Sequence, residues 1–260
     1  MSAHSMPPPE TPALQIRDLV RRFGAITALD HVNLEVPRGA FFALVGSNGA
    51  GKSTTVRILT GLLAADGGSV RVLGENPRRA GTAFRQRIGV VPDFPVLYDV
   101  LSPRENIVRL GALRGLARNE AERRLEEVAG ALALGEHLDQ PVRALSQGTR
   151  KKAALAAALI HGPSLLFLDE PFEGIDPVAA RGIRNMLEDL RRRGVTIFLT
   201  SHVLPLVESL ATHVAVIDEG RVRIDGALAD VKGSHDTLER AIVETLGVPP
   251  EVPDMEWYLP

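Results

Sequence analysis

The chain reads as an α/β protein with a mostly parallel core sheet, a β-rich N-terminal region and a helical insertion. Three observations predict this. Short apolar runs alternate with helix-patterned segments, which implies parallel strands with a ligand at their C-terminal ends. One run, Phe41–Val45, leads through a glycine-rich turn into the helix-patterned residues Val56, Ile58, Leu59 and Leu62. A stretch of helix-start signals, residues 102–142, interrupts the alternation.

The 260 residues allow one large core with at most a smaller subdomain. Apolar residues make up 45% and charged residues 24%, the balance of an ordinary globular protein. The net charge of −2 gives no basic field, so nucleic acid is not expected as a partner. Without cysteine there is no disulfide framework and no thiolate metal site. Residues 1–13 are polar and proline-rich, lack the apolar core of a signal peptide, and are expected to be disordered. The longest apolar stretch, 153–160, is far short of the roughly 20 residues that span a bilayer. If the protein serves a membrane, another chain crosses it.

Taken in order, residues 14–20, 32–36, 41–45 and 69–73 read as strands, with Phe23-Gly24 and Asp66-Gly67-Gly68 as turns. Ser102-Pro103-Arg104-Glu105 offers a serine N-cap, proline at the first helical position and glutamate at the third. Ile107, Leu110 and Leu113 continue at helical spacing. Asn119 and Glu122 repeat the start signal ahead of Leu125, Val128 and Leu132. A helix over 151–160 precedes a buried strand, 164–168. Asp176-Pro177 opens another helix, closed by basic residues and Gly194. A strand over 195–200 ends at Ser201-His202; residues 214–217 and 221–224 form a hairpin. A helix-like segment over 237–246 precedes a proline-rich end with Trp257-Tyr258.

The chemistry centres on Gly46-Ser47-Asn48-Gly49-Ala50-Gly51-Lys52-Ser53-Thr54. Gly-x4-Gly-Lys-Ser between strand and helix is the Walker A pattern. Glycines let the backbone approach phosphate, and successive N–H groups with the helix N-terminus make an anion site. Lys52 reaches the β- and γ-phosphates, and the Ser53 hydroxyl ligates Mg²⁺. Leu165-Leu166-Phe167-Leu168-Asp169-Glu170 has the matching Walker B form. Asp169 holds Mg²⁺, directly or through water, and Glu170 is placed to act on the attacking water.

Leu145-Ser146-Gln147-Gly148-Thr149 then resembles the signature motif of the ATP-binding subunits of ABC transporters. The resemblance runs from about residue 14 to 232, with the motifs in the same order. It implies a P-loop NTPase ABC cassette: mostly parallel core sheet, N-terminal antiparallel β subdomain, and a helical subdomain at about 102–142. Residues 14–232 would be the ATPase domain and 233–260 a C-terminal tail. By resemblance, Phe23 stacks on adenine, Asp176 lies in the loop that crosses a dimer interface, and His202 contacts the γ-phosphate. Asp176 is also well placed as an N-cap before Pro177. The resemblance further implies Mg-ATP hydrolysis, with Ser146 and Gly148 closing over ATP held by a second cassette, either a copy of this chain or a paralogue. The helical insertion would dock a transmembrane permease, with the subunit peripheral on the cytoplasmic face of the membrane.

Three positions depart from the family pattern. Asp93 stands where the family usually has glutamine after the strand ending at Val91-Pro92. An acid still reaches the metal or its water, but while ionised it donates no hydrogen bond, which bears on the timing of hydrolysis. Gln147 replaces the first signature glycine and must fit beside the facing site's phosphate; Thr149 replaces the last glutamine. Similar variants occur in subunits paired with separate export-type permeases, and 238–244 resembles a degenerate form of their tail, so export is expected. The competing classes are a soluble ABC-type ATPase of ribosomes or DNA and a small-molecule P-loop kinase. The single cassette, the short spacing from Lys52 to Ser146 and the signature weigh against both.

Overall fold

A computed structural model describes residues 11–94 and 97–246. The expected disorder of residues 1–10 and the proline-rich end with Trp257-Tyr258 lie outside these residues. Ala13, which the expectation places in the disordered segment, is fully buried and donates its N–H to the Val36 carbonyl at 2.8 Å.

Two sheets carry the fold. The first contains β1 (Leu14–Phe23), β2 (Ile26–Val36) and β4 (Gly67–Val72), all antiparallel, in the order β2-β1-β4. The second has six strands: β3 (Phe41–Val45), β5 (Ile88–Val91), β6 (Leu165–Asp169), β7 (Thr196–Ser201), β8 (His213–Asp218) and β9 (Arg221–Ala227). Their order is β5-β6-β7-β3-β8-β9, parallel except for β9, which forms the expected antiparallel hairpin with β8. β3, β6 and β7 are buried at every position, as strands covered on both faces must be. β2 alternates buried and exposed along Val32, Asn33, Leu34, Glu35 and Val36, as a strand with one solvated face does.

The helices are α1 (Lys52–Leu59), α2 (Thr82–Arg87), α3 (Pro103–Leu113), α4 (Arg118–Leu132), α5 (Gln147–Leu159), α6 (Pro177–Arg192), α7 (Leu204–Leu210), α8 (Leu228–Lys232) and α9 (Leu238–Leu246). On one face of the core sheet, Phe42, Phe167, Phe198 and Ile217 pack with α1 and the antiparallel sheet. On the other, Leu166, Leu168, Ile197 and Leu199 meet α3, α4, α5 and α6. α9 adds Leu238 and Ile242 beside Val207 of α7 and Val214 and Val216 of β8. α5 is buried from Ala153 to Leu159, and its alanines let neighbouring helices approach closely.

The capping box at α3 forms as expected: Glu105 N–H donates to Ser102 Oγ at 3.2 Å, and Ser102 N–H to Glu105 Oε2 at 2.8 Å. Other expectations need correction. α4 starts at Arg118 behind Ala117, with no side-chain cap; Asn119 already lies inside it and accepts only from the adjacent Glu120 N–H. Leu62 lies beyond the end of α1 and is 76% exposed. β4 begins at Gly67, inside the expected turn, because Asp66 folds back to accept from Arg22 N–H at 2.6 Å. α2, α7 and α8 carry too few residues to show a period in sequence.

Candidate active site

The parallel order of β6, β7 and β3 brings three strand ends together. The loop after β3 turns on two glycines. A Cβ at Gly46 would stand 2.2 Å from the Ile217 carbonyl oxygen. Gly51 takes φ 110° as the N-cap of α1, and a Cβ there would meet the Ala28 carbonyl oxygen at 2.7 Å. Ser47, Asn48 and Gly49 are exposed at the tip, while Ala50 is buried and donates its N–H back to the Ser47 carbonyl at 3.2 Å. Thr54 follows in the first turn of α1.

Lys52 is 6% exposed. Its Nζ donates to the carbonyls of Gly46 at 2.8 Å and Ser47 at 3.1 Å, curled over the loop. The same atom lies 3.3 Å from Glu170 Oε1. Glu170 Oε2 sits 3.1 Å from His202 Nδ1, so one carboxylate stands between the loop lysine and the histidine after β7. Among the described residues, the buried Oε1 has no hydrogen-bond donor in bonding geometry, although the lysine faces it as an ion pair.

Asp169 ends β6 at 4% exposure, and its Oδ1 accepts from Ser53 Oγ at 3.2 Å and Thr200 Oγ1 at 2.6 Å. A carboxylate beside a hydroxyl, with no nitrogen or sulfur ligand, is an all-oxygen donor set that fits Mg²⁺. Thr200 belongs to no sequence motif, yet its hydroxyl also accepts from Glu170 N–H at 3.1 Å. The available signal was a polar residue ending an apolar strand. Lys151 likewise carries no motif signal: it is 4% exposed, and its Nζ donates to the Glu170 carbonyl at 2.7 Å.

Asp93 is not brought into hydrogen-bond contact with Ser53 or Asp169. It lines a cavity of about 440 Å³ with Gln147, Lys151, Glu173 and Gly174. Burial pushes its carboxyl up; the Glu173, Asp169 and Glu170 charges add to this, and Lys151 opposes it.

In the signature segment, a Cβ at Gly174 would meet Gln147 Nε2 at 2.5 Å, so the Gln147 side chain lies over its own chain's Gly174. Ser146 caps α5: its Oγ accepts from Thr149 N–H at 3.2 Å and lies 2.8 Å from Thr149 Oγ1. Thr149 therefore supports the serine hydroxyl. Gly148 packs close to Ile175 and Ala179. Asp176 caps α6 as expected, accepting from Ala179 N–H at 2.9 Å and Val178 N–H at 3.0 Å. These bonds, the Ala179 one first, hold its carboxyl below its ordinary value. Phe23 ends β1 at 44% exposure; the Arg21 guanidinium, paired with Asp66 at 3.0 Å, lies 4.5 Å from its ring centroid.

Fold and loop together define a P-loop nucleoside-triphosphate-binding α/β protein. Residues 29–173 match the ABC transporter family. The chain is 35% identical over 246 residues to the daunorubicin/doxorubicin resistance ATP-binding protein DrrA of Streptomyces peucetius, covering 91% of this chain and 74% of that protein. It is 40% identical over 217 residues to the Nod factor export ATP-binding protein I of Cupriavidus metallidurans, covering 83% of this chain and 71% of that one. A solved structure described as an ATP binding subunit of an ABC transporter superposes with a TM-score of 0.83 at 29% identity, over 90% of this chain and 99% of its own. The chain belongs to the ABC transporter family, as one of its ATP-binding subunits. It is an ATPase that powers transport through a membrane permease; the reading as an ATPase of ribosomes or DNA is not favoured by these relatives. Among the described residues, no helix is long and apolar enough to cross a membrane.

Proposed function

We propose that Glu170 is the general base of ATP hydrolysis and that the chain works as an export subunit on the cytoplasmic face of a membrane. The observation that carries the mechanism is the Glu170 carboxylate, with Lys52 Nζ at 3.3 Å and His202 Nδ1 at 3.1 Å. Lys52 and the loop N–H groups hold the β- and γ-phosphates. A triphosphate draws the lysine charge towards itself and leaves Oε1 to orient water and accept its proton. His202 steadies Oε2 and reaches the γ-phosphate. Ser53 and Asp169, with Asp93 further out, are the residues that would hold Mg²⁺, which when bound offsets the charge building up on the phosphates. Phe23 stacks on adenine through its open ring face.

The exposed Ser146, with Gly148 behind it, closes over ATP held by a second cassette. Gln147 leaves room for this by lying over Gly174 of its own chain. Residues 14–232 form the ATPase domain, with 102–142 as its helical subdomain and 233–260 as its tail. The permease docks on the helical subdomain, beside the exposed Tyr98, Val100 and Leu113. Export is supported by relatives named for resistance to a drug and for export of Nod factor.

Glu170→Gln tests this reading. Hydrolysis should fall roughly 10²- to 10⁴-fold, while ATP stays bound and light scattering shows a dimer with ATP but not with ADP. Wild-type turnover would overturn the assignment of the base. A monomer in both nucleotides would overturn pairing between like chains.

A further inference from the structure

Lysine is almost never fully buried unless paired, yet Lys151 is 4% exposed in the first half of α5. Burial pulls its ammonium down, and the Asp93, Glu173, Glu170 and Asp169 charges offset that. Its bond is not to any of those carboxylates but to the Glu170 backbone carbonyl, at 2.7 Å. Glu170 takes φ 46°, in the left-handed region that a residue with a Cβ occupies only when its surroundings hold it there. The same carbonyl accepts from Glu173 N–H at 3.3 Å, and Glu170 N–H is held by Thr200. The peptide carrying the candidate base is thus fixed on one side by β7 and on the other by the helix that Ser146 caps.

We infer that Lys151 is a positioning residue: its ammonium holds Glu170 in the left-handed conformation that aims the carboxylate between Lys52 and His202, and so ties the signature helix to hydrolysis in the chain's own site. This rests on Glu170 being the base. Ser146 faces the second cassette's nucleotide, whereas Glu170 acts on the nucleotide held by Lys52. A displacement of α5 moves the Lys151 ammonium, and with it the Glu170 carbonyl and the direction of its side chain. Lys151 therefore links the two sites through one hydrogen bond. A lysine that merely filled the core would be replaceable by an apolar side chain of similar length.

The experiment compares Lys151→Met, which keeps the stem and removes the donor, with Lys151→Arg, which keeps a donor. Lys151→Met should lower kcat roughly ten- to a hundredfold, the scale of a misplaced catalytic group, with ATP affinity unchanged in a direct binding titration. Lys151→Arg should recover most of that rate. In a Glu170→Gln background, Lys151→Met should cost nothing further, because it acts through Glu170. Wild-type kcat in Lys151→Met, loss of affinity in step with kcat, or a loss that multiplies with that of Glu170→Gln overturns the inference. Lys151→Ala carries the same test if methionine does not fold there. Glu170→Gln alone separates the two readings. If it keeps turnover, the base assignment fails; if it arrests turnover and Lys151→Met does not, only the role of Lys151 fails.

Discussion

The strand-end cluster and the signature segment differ in how far the chain completes them. Lys52, Asp169, Glu170 and Thr200 are all buried, and each is bonded to another member of the set or to the loop. Ser146, Gln147, Asp176 and Phe23 are exposed, and their bonds are caps and local packing. Charges removed from water must find partners within the chain or bear a heavy desolvation cost. Groups left at the surface carry no such demand and stay available to another molecule. In the mechanism proposed above, the first set is the part of the site the chain assembles by itself, and the second is the face left for a nucleotide base and a second cassette.

The largest expected effect falls on the buried half. Lys52→Ala removes a charge-assisted contact to phosphate, about 1.5–3 kcal/mol, or roughly ten- to a hundredfold in Kd. A binding titration with Mg²⁺ that gives the wild-type value would remove the loop assignment. On the exposed half, Phe23→Ala should weaken ATP by about 1–3 kcal/mol, the worth of a base stacked on an aromatic ring, and Phe23→Trp should retain binding. If both variants bind alike, the ring is not the adenine platform.

The smallest effects sharpen the contrast within the exposed half. Ser146→Ala loses an N-cap worth about 1 kcal/mol. Its drop in melting temperature should not depend on pH, since the serine hydroxyl does not ionise, and ATP affinity of the single chain should hold. Asp176→Ala should behave differently. The folded carboxyl is held below its ordinary value, so its contribution is present above the ordinary carboxylate range and is lost as pH falls through the lowered value. The melting difference between wild type and Asp176→Ala should therefore shrink on acidification. A constant difference would mean that the Asp176 carboxylate does not stabilise the start of α6 by charge.

Much of the site was legible because its signals are local. Gly46, Gly51 and Lys52 declare a strand–loop–helix turn, and the apolar run ending in Asp169-Glu170 declares a strand whose end carries acid. The Ser102 and Glu105 capping box also reads directly, because its partners lie within one turn of helix. Asn119 misled because a good capping residue binds only where the chain enters the helix, and that entry is at Ala117. The short α7 showed no period, yet Val207 is fully buried against β8.

By itself, the sequence determined the class of protein, the phosphate loop, the acidic strand end and the helix caps, because each depends on neighbours in the chain. Only the tertiary structure decided that Lys52, Glu170 and His202 meet: they follow β3, β6 and β7, and the sheet sets β7 between the other two. It also turned Gln147 onto Gly174, put Arg21 over Phe23, and gave the buried Lys151 the Glu170 carbonyl to hold. Those choices were hidden in the sequence because they are set by the direction in which a side chain leaves its element and by what the packing of distant strands and helices puts in its path.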